Sequence, residues 1–296
     1  MKAMKYLFVV VFLGAGIALF GQNQTPTTSI APGNISMMSP APIVAPEDVY
    51  TRENIIPEKK PVPYPYLREA DVMWAQDVWR IIDLRQRMNY PLRYPETDPI
   101  ENRYSLYLLL MEGIKEGSIT PYESNENWNN PFQNRTTKDQ IYEKIKATDL
   151  WNDDSTELIF SDIRGSYVKQ FFVKEKWYFD KQHSEMRVRI VALAPLLVLP
   201  NPQSPIDDRI VPFYVYFPEC RRMFATHPVF NPNNDAQRIS FDDLFMQRRF
   251  ASTIAGESNI HQNRLIIDFM SGQDALMEAE RIKNEIFIQE HDLWEY

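Results

Sequence analysis

The sequence predicts an α+β fold with N-terminal helices, a central antiparallel sheet with hairpins, and C-terminal helices. Apolar residues first recur at spacings of three and four, as on one face of a helix, and then alternate with polar residues between 166 and 200. After a polar loop the helical spacing returns. Helices and strands that are segregated along a chain are typical of α+β domains rather than of alternating βαβ units.

The first 21 residues are predicted to be a cleavable signal peptide. Lys2 and Lys5 precede an apolar stretch, and the chain becomes polar after Gly21. The apolar stretch covers about 15 residues, fewer than the roughly 20 that a spanning helix needs, so a retained membrane anchor is the less favoured alternative. A lipoprotein signal requires a cysteine at the cleavage site. The only cysteine of the sequence, Cys220, lies far from that site, so a lipoprotein signal is excluded. We expect an exported mature chain with no membrane insertion of its own.

Residues 22–67 are predicted to be a proline-rich extended arm or linker. Nine prolines fall between positions 25 and 66, and proline fixes φ and removes a backbone donor. A flexible spacer is one interpretation. The other is an arm that lies on a neighbouring subunit, because several of its side chains are more apolar than a solvated linker requires. These side chains are Ile55, Ile56, Val62, Tyr64 and Tyr66.

Residues 68–296 are predicted to form the folded domain, beginning with helices. A first helix is predicted from about Arg68 to Met88, with Trp74, Val78 and Ile81 on its apolar face. Within it, Asp77 with Arg80 and Asp83 with Arg87 have the spacing of helical ion pairs.

Two further helices follow the first. A second helix is predicted from about Tyr104 to Glu116, with Gly117 in the left-handed closing conformation. Thr137 and Gln140 have the spacing of a capping box that opens a third, short helix.

The central part is predicted to be β-structure. A hairpin is predicted between Ser166 and Pro200, with its turn at Asp180–Ser184. A further strand is predicted at about Val211–Phe217, and Pro212 and Pro218 favour strand ends or a sheet edge there.

The C-terminal part returns to helical patterns. Ser240 is predicted to cap a short helix through Phe245, and Ser271 with Asp274 to cap a final helix that reaches Leu293. Trp294 stands close to the C-terminal end of the sequence, where a polar, frayed chain is usual, so we expect it to dock on another surface. The apolar face of the final helix is formed by Ala275, Ala279, Ile282, Ile286 and Leu293.

Composition excludes several classes of function. The formal net charge of −8 becomes −10 once Lys2 and Lys5 are removed with the signal peptide, so we expect no nucleic-acid partner. Cys220 cannot form an intrachain disulfide and is predicted to be a small buried residue. No phosphate-binding loop, nucleophile motif or zinc motif is present. We predict no catalytic residues, no cofactor-binding residues and no metal ligands, and we expect the protein not to be an enzyme.

Two patterns resemble sites without meeting their requirements. Asn231, Asn233, Asp235 and Asp242 imitate a calcium loop, but Ala236 stands where the sharp turn needs glycine, and the last ligand should be glutamate. Adjacent acids cannot face each other across a cleft as a hydrolase requires, so we assign them to loops and helix caps. These acids are Asp153, Asp154, Asp207, Asp208, Asp242 and Asp243.

Eight sequence motifs are distinctive, and they occupy residues 78–85, 90–95, 110–117, 177–182, 239–245, 257–259, 280–286 and 290–296. These motifs resemble the GldN/PorN family of gliding-motility and type IX secretion proteins of the Bacteroidetes. The resemblance runs from about Arg68 to the C-terminus and leaves the arm uncovered.

This resemblance implies a periplasmic structural subunit of the type IX secretion system. Such a subunit would assemble into a ring with a GldK/PorK-like outer-membrane lipoprotein and other components of the system, and would support protein secretion and gliding motility. It would be held at the outer membrane by the lipoprotein. Two alternatives stay open: a periplasmic peptidoglycan-binding module that uses exposed aromatic residues, and a hydrolase whose carboxylates come from distant segments. The arm and the C-terminal helix are the expected contact surfaces.

Overall fold

A computed structural model describes most of the predicted domain and the end of the arm. The described residues are 59–100, 103–124, 130–148, 165–199, 208–231, 234 and 237–292. The predicted signal peptide, most of the arm and Trp294 lie outside them.

The described residues form nine strands and six α-helices, and the fold is α+β as predicted. The strands are β1 (Val72–Asp83), β2 (Pro121–Glu123), β3 (Val168–Asp180), β4 (Glu185–Leu199), β5 (Asp208–Ile210), β6 (Phe213–Tyr216), β7 (Pro228–Val229), β8 (Ile239–Ser240) and β9 (Thr253–Glu257). The helices are α1 (Tyr90–Arg93), α2 (Leu106–Glu116), α3 (Lys138–Thr148), α4 (Phe217–Thr226), α5 (Phe241–Met246) and α6 (Gly272–Asp292).

A seven-stranded antiparallel sheet organises the domain. Its order is β2-β6-β4-β3-β1-β9, and β5 pairs with the far end of β4. The strand β9 covers only part of β1, from Val78 to Ile81. The strands β7 and β8 form a separate two-stranded ribbon.

The first predicted helix is wrong, because most of Arg68–Met88 is the strand β1. Both faces of this strand are covered by other elements, so apolar side chains occur on both faces and the alternation that identifies a strand is lost. Neither of the predicted helical ion pairs forms: Asp83 pairs with Arg85, whereas Asp77 and Arg80 pair with residues of another strand. Arg80 pairs with Glu175, and Asp77 pairs with Lys174, both on β3.

The β-hairpin is confirmed, whereas the strand after it ends early. The strands β3 and β4 pair from Val168 to Asp180, and the chain turns between Asp180 and Glu185. The predicted strand Val211–Phe217 is reduced to β6, because Phe217 already begins α4 and Pro218 lies in its first turn. Proline is tolerated there because the first turn lacks helical partners for its N–H groups.

The remaining helix predictions are confirmed in their main features. The helix α2 ends at Gly117, which has φ +76°. The backbone N–H of Gln140 and the side chain of Thr137 form the predicted capping contact, and the Gln140 side chain accepts from the Thr137 N–H. A reciprocal capping box between Ser240 and Asp243 opens α5. The helix α6 buries Ile282 and Ile286.

Side chains pack on both faces of the sheet. The helices α2, α4 and α5 cover one face with the largest apolar cluster, which contains Phe171, Phe213, Phe217, Phe224 and Phe245. The apolar cluster on the opposite face is smaller and surrounds Trp79. The helix α6 closes the sheet beside β9, where Val78 and Ile254 meet Ile282 and Ile286.

Candidate functional site

The end of the arm lies against its own domain through an arm clasp, formed by Lys59, Tyr64 and Pro65. The Tyr64 ring centroid lies 4.3 Å from the Arg221 guanidinium carbon and 4.9 Å from that of Arg189. Arg189 also donates a 2.7 Å hydrogen bond to the Pro65 carbonyl oxygen. Lys59 donates to the Ser240 hydroxyl at 3.1 Å and pairs with the Asp243 carboxylate. From Lys59 onwards, the arm is therefore bound in cis and is not a free spacer.

A buried ion pair fixes the cation on which Tyr64 rests. Arg221 on α4 makes two hydrogen bonds to the Asp242 carboxylate, at 2.7 Å and 3.0 Å, and both side chains are almost fully buried. The bidentate geometry orients the guanidinium plane, so that its face is available to the aromatic ring. Asp242 is thereby committed to Arg221 and does not serve as the last ligand of a calcium loop.

The arm clasp also changes the titration of the groups that it covers. Burial disfavours the charged form of Asp243, but the hydrogen bonds from Lys59 and Ser240 outweigh burial and lower the pKa of its carboxyl. Burial raises the pKa of the Tyr64 hydroxyl, despite the nearby Arg221 cation. Tyr64 is therefore a neutral aromatic platform at neutral pH.

A buried charge cluster lies inside the sheet, formed by Glu175, Arg80 and Arg248. Glu175 is 0% exposed. Arg80 approaches its carboxylate at 3.0 Å and Arg248 at 2.8 Å. The indole N–H of Trp177 donates a third bond to Glu175 at 3.0 Å. The residues of this cluster come from β1, β3 and the segment after α5, so the cluster ties three parts of the chain together.

An aromatic groove runs between α1 and the β7–β8 ribbon, with a volume of about 860 Å³. Tyr90, Tyr94 and Phe230 line it together with Met88, and these four side chains are 42–55% exposed. Arg87 and Arg249 also line the groove. Exposed aromatic and sulfur-containing side chains grouped in a concave surface are characteristic of binding sites.

A second cavity, of about 430 Å³, lies between β9 and α6. Its polar lining includes Arg281, which contacts Glu257 at 3.4 Å and Glu278 at 2.6 Å. Burial raises the pKa of Glu257, whereas the hydrogen bond from Arg281 lowers the pKa of Glu278. One guanidinium thus holds both carboxylates, and the contact attaches α6 to the sheet edge.

The residues singled out from the sequence are dispersed in the structure. Cys220 is buried, as predicted, and burial raises the pKa of its thiol. His183 lies in the hairpin turn, 2.7 Å from Asp180. Within the described ranges no group of three or more His, Cys, Asp or Glu side chains could hold a metal ion. Asn233, Asp235 and the pairs Asp153-Asp154 and Asp207-Asp208 cannot be compared, since all or part of each falls outside the described residues.

The fold and these sites define an α+β domain that carries a bound arm, a buried charge cluster and an open aromatic groove. The family of gliding motility associated protein GldN matches residues 67–295. The chain therefore belongs to the GldN family and is associated with gliding motility. No curated protein matches it. Among the residues that the structure covers, none of the helices has the length and apolar character that crossing a membrane requires.

Proposed function

We propose that this chain is a periplasmic structural subunit of the type IX secretion system. It forms a ring with a GldK/PorK-like outer-membrane lipoprotein, which holds it at the membrane, and the ring supports protein secretion and gliding motility. The observation that carries the proposal is the family match, which spans nearly the whole folded domain. The role is structural and not catalytic.

The helix α6 is the surface that we assign to the contact between copies. Its buried side packs on β9 through Ile282 and Ile286, while four large apolar side chains on the same helix are 54–65% exposed. These side chains are Leu276, Met277, Phe287 and Ile288. Exposed apolar side chains repeated along one helix favour association, because burial in an interface removes them from water.

Co-purification from the native envelope tests the proposal. A tagged mature chain, residues 22–296, is isolated from its own organism, and the particle is weighed and imaged. We expect a large ring that contains a lipoprotein. A monodisperse monomer without partners contradicts the proposal.

Two variants of α6 locate the contact between copies. In Leu276→Glu/Phe287→Glu, charges replace two of the exposed apolar side chains, and we expect loss of the ring with retention of the lipoprotein. The control Gln273→Glu/Lys283→Glu changes exposed polar positions on the same helix and should assemble normally. Loss of the lipoprotein instead would assign this face to the lipoprotein contact.

The aromatic groove favours peptidoglycan binding as the second candidate function. Sugar rings stack on exposed aromatic faces, and Tyr90, Tyr94 and Phe230 provide such faces in one groove. Sedimentation of the purified chain with peptidoglycan tests this function. Binding that is lost in Tyr90→Ala/Phe230→Ala would support it, and absence of binding by the wild-type chain would exclude it.

A further inference from the structure

An apolar stripe is exposed along α6. It consists of Leu276, Met277, Phe287 and Ile288. These residues form two pairs whose members are 11 positions apart, which brings the members of each pair to within about 20° of each other around the helix. Ile282 and Ile286, which α6 buries against β9, lie about 160° from the centre of the stripe. The stripe therefore points away from its own domain.

Carboxylates flank the stripe. The helix α6 carries six carboxylates and two cations, Arg281 and Lys283, and both cations are already paired with carboxylates of the same helix. Glu290 lies on one side of the stripe and Asp292 on the other, each about 40–60° from the nearest apolar side chains. Two α6 helices placed face to face would bring like charges together, which disfavours a contact between them.

The aromatic groove carries the opposite charge. Besides its exposed aromatic side chains, it is lined by Arg87 and Arg249, which are both exposed. No carboxylate within the described ranges lines the groove or forms an ion pair with either arginine. Arg103 adds a third cation, with its guanidinium carbon 5.9 Å from the ring centroid of Phe230. An apolar groove edged by cations is thus complementary to an apolar stripe edged by carboxylates.

We infer that α6 of one copy docks in the aromatic groove of the next copy. The apolar stripe packs on the groove aromatics, as an amphipathic helix does in a hydrophobic groove, while Glu290 and Asp292 face the groove arginines. Among the described residues that line the groove, none belongs to α6, so the stripe and the groove are separate surfaces of one chain. A contact between two different surfaces is head-to-tail, and contacts of this type generate rings when the rotation closes. This contact rests on the proposed assembly of copies and specifies its two surfaces.

Two complementary variants of the purified mature chain test the contact by sedimentation velocity. Arg87→Glu/Arg249→Glu reverses the charge of the groove, and Leu276→Glu/Phe287→Glu blocks the stripe. We expect the wild-type chain to self-associate, and each variant alone to associate at least about tenfold more weakly. An equimolar mixture of the variants should form a heterodimer that does not grow further, because one groove and one stripe remain intact.

The matched control alters apolar side chains outside both surfaces. Met73 is 62% exposed and Ile260 is 94% exposed, so Met73→Glu/Ile260→Glu introduces two charges on the surface and should associate like the wild type. The four residues changed in the complementary variants are exposed as well, and far-ultraviolet circular dichroism verifies that every variant is folded.

Three results would overturn the docking of α6 in the groove. Association of the groove variant as strong as that of the wild type would mean that the groove is not the acceptor. A mixture of folded variants without heterodimer would exclude a head-to-tail contact. A wild-type chain that stays monomeric would show that the two surfaces do not bind each other. If a ring is nevertheless isolated from the native envelope, only this contact fails and the proposed function stands.

Peptidoglycan is the competing occupant of the groove. If α6 occupies the groove, Tyr90→Ala/Phe230→Ala should weaken self-association, because the stripe loses the aromatic surface on which it packs. Peptidoglycan binding that is lost in this variant, together with unchanged self-association, would assign the groove to the glycan and overturn the docking of α6.

Discussion

Glu175 shows how a single charge can determine local structure. Its carboxylate is removed from water, and a buried carboxylate is tolerated only when it is paired and hydrogen-bonded. Arg80, Arg248 and the Trp177 indole donate hydrogen bonds to the Oε2 atom of Glu175. The Oε1 atom accepts no hydrogen bond and is compensated by the Arg248 guanidinium, 2.8 Å away. Burial lowers the pKa of Arg80, although Glu175 opposes the shift.

Replacement of Glu175 by glutamine should destabilise the domain strongly. The variant leaves Arg80 and Arg248 buried or half-buried without their anion, and breaking such a pair costs about 3–5 kcal/mol. Urea unfolding at neutral pH measures the loss. The control Glu185→Gln removes a carboxylate that pairs with Arg187 near the surface, where the expected loss is about 0–1 kcal/mol. Equal losses in the two variants would contradict the assignment of a buried cluster.

Asp243 should make the stability depend on acidification. Its pKa is lower in the folded chain than in the unfolded chain, so its contribution is complete above the unfolded value of about 3.9 and is lost as pH falls through the folded value. We expect the stability difference between wild type and Asp243→Asn to be constant from pH 6 to 8 and to shrink below about pH 4. Urea unfolding across this range measures it. The exposed Asp98→Asn control should show a small difference throughout, and a gap that widens on acidification would contradict the prediction.

Residues whose partners are close in sequence could be predicted, and those with distant partners could not. The capping contacts of Thr137 with Gln140 and of Ser240 with Asp243 span three residues, so spacing alone identifies them. Glu175 is 95 residues from Arg80 and 73 from Arg248. Only the fold brings these charges together, and no local pattern marks them.

At the scale of elements, β1 is a strand that local sequence patterns do not identify, whereas α4 is a helix that they do. The strand β1 carries Trp79 on one face and Val78 and Ile82 on the other, and both faces are buried, which imitates the wide apolar face of a helix. The helix α4 was predictable in principle. Spacings of three and four separate its buried residues, which are Phe217, Cys220, Arg221, Phe224 and Ala225. The proline near its start is also compatible with the end of a strand, and for this reason the helix is not predicted from the sequence.

Gly117 should be required for the end of α2. It has φ +76°, a left-handed conformation that costs an L-residue about 1–2 kcal/mol, and nothing lies within 4 Å of a Cβ added there. We therefore expect Gly117→Ala to lower the free energy of unfolding by about 1 kcal/mol through backbone strain alone. Thermal and urea unfolding check this value. The neighbouring Glu116→Ala is the control, and an unchanged stability in Gly117→Ala would show that the helix end relaxes.

At the scale of the whole molecule, the end of the arm packs on the folded domain and is not a separate linker. The prediction placed the boundary at residue 68, whereas Lys59, Tyr64 and Pro65 already contact the domain. Their partners Arg189, Arg221 and Asp243 come from three different elements, which sequence patterns do not connect. The family match begins at residue 67, so the arm clasp is a feature of this chain that lies outside the matched region.

The strand order has a consequence for how the chain acquires its structure. The strand β1 is synthesised first, yet it pairs with β3 about 95 residues later and with β9 about 180 residues later. The hairpin of β3 and β4 needs only a short turn and so pays little loop-closure entropy. We expect the hairpin to nucleate the sheet, with β1 added to it and β9 and α6 sealing the edge last. Until the final quarter of the chain is available, β1 presents an unpaired edge, and the nascent protein is open to wrong pairing with other chains.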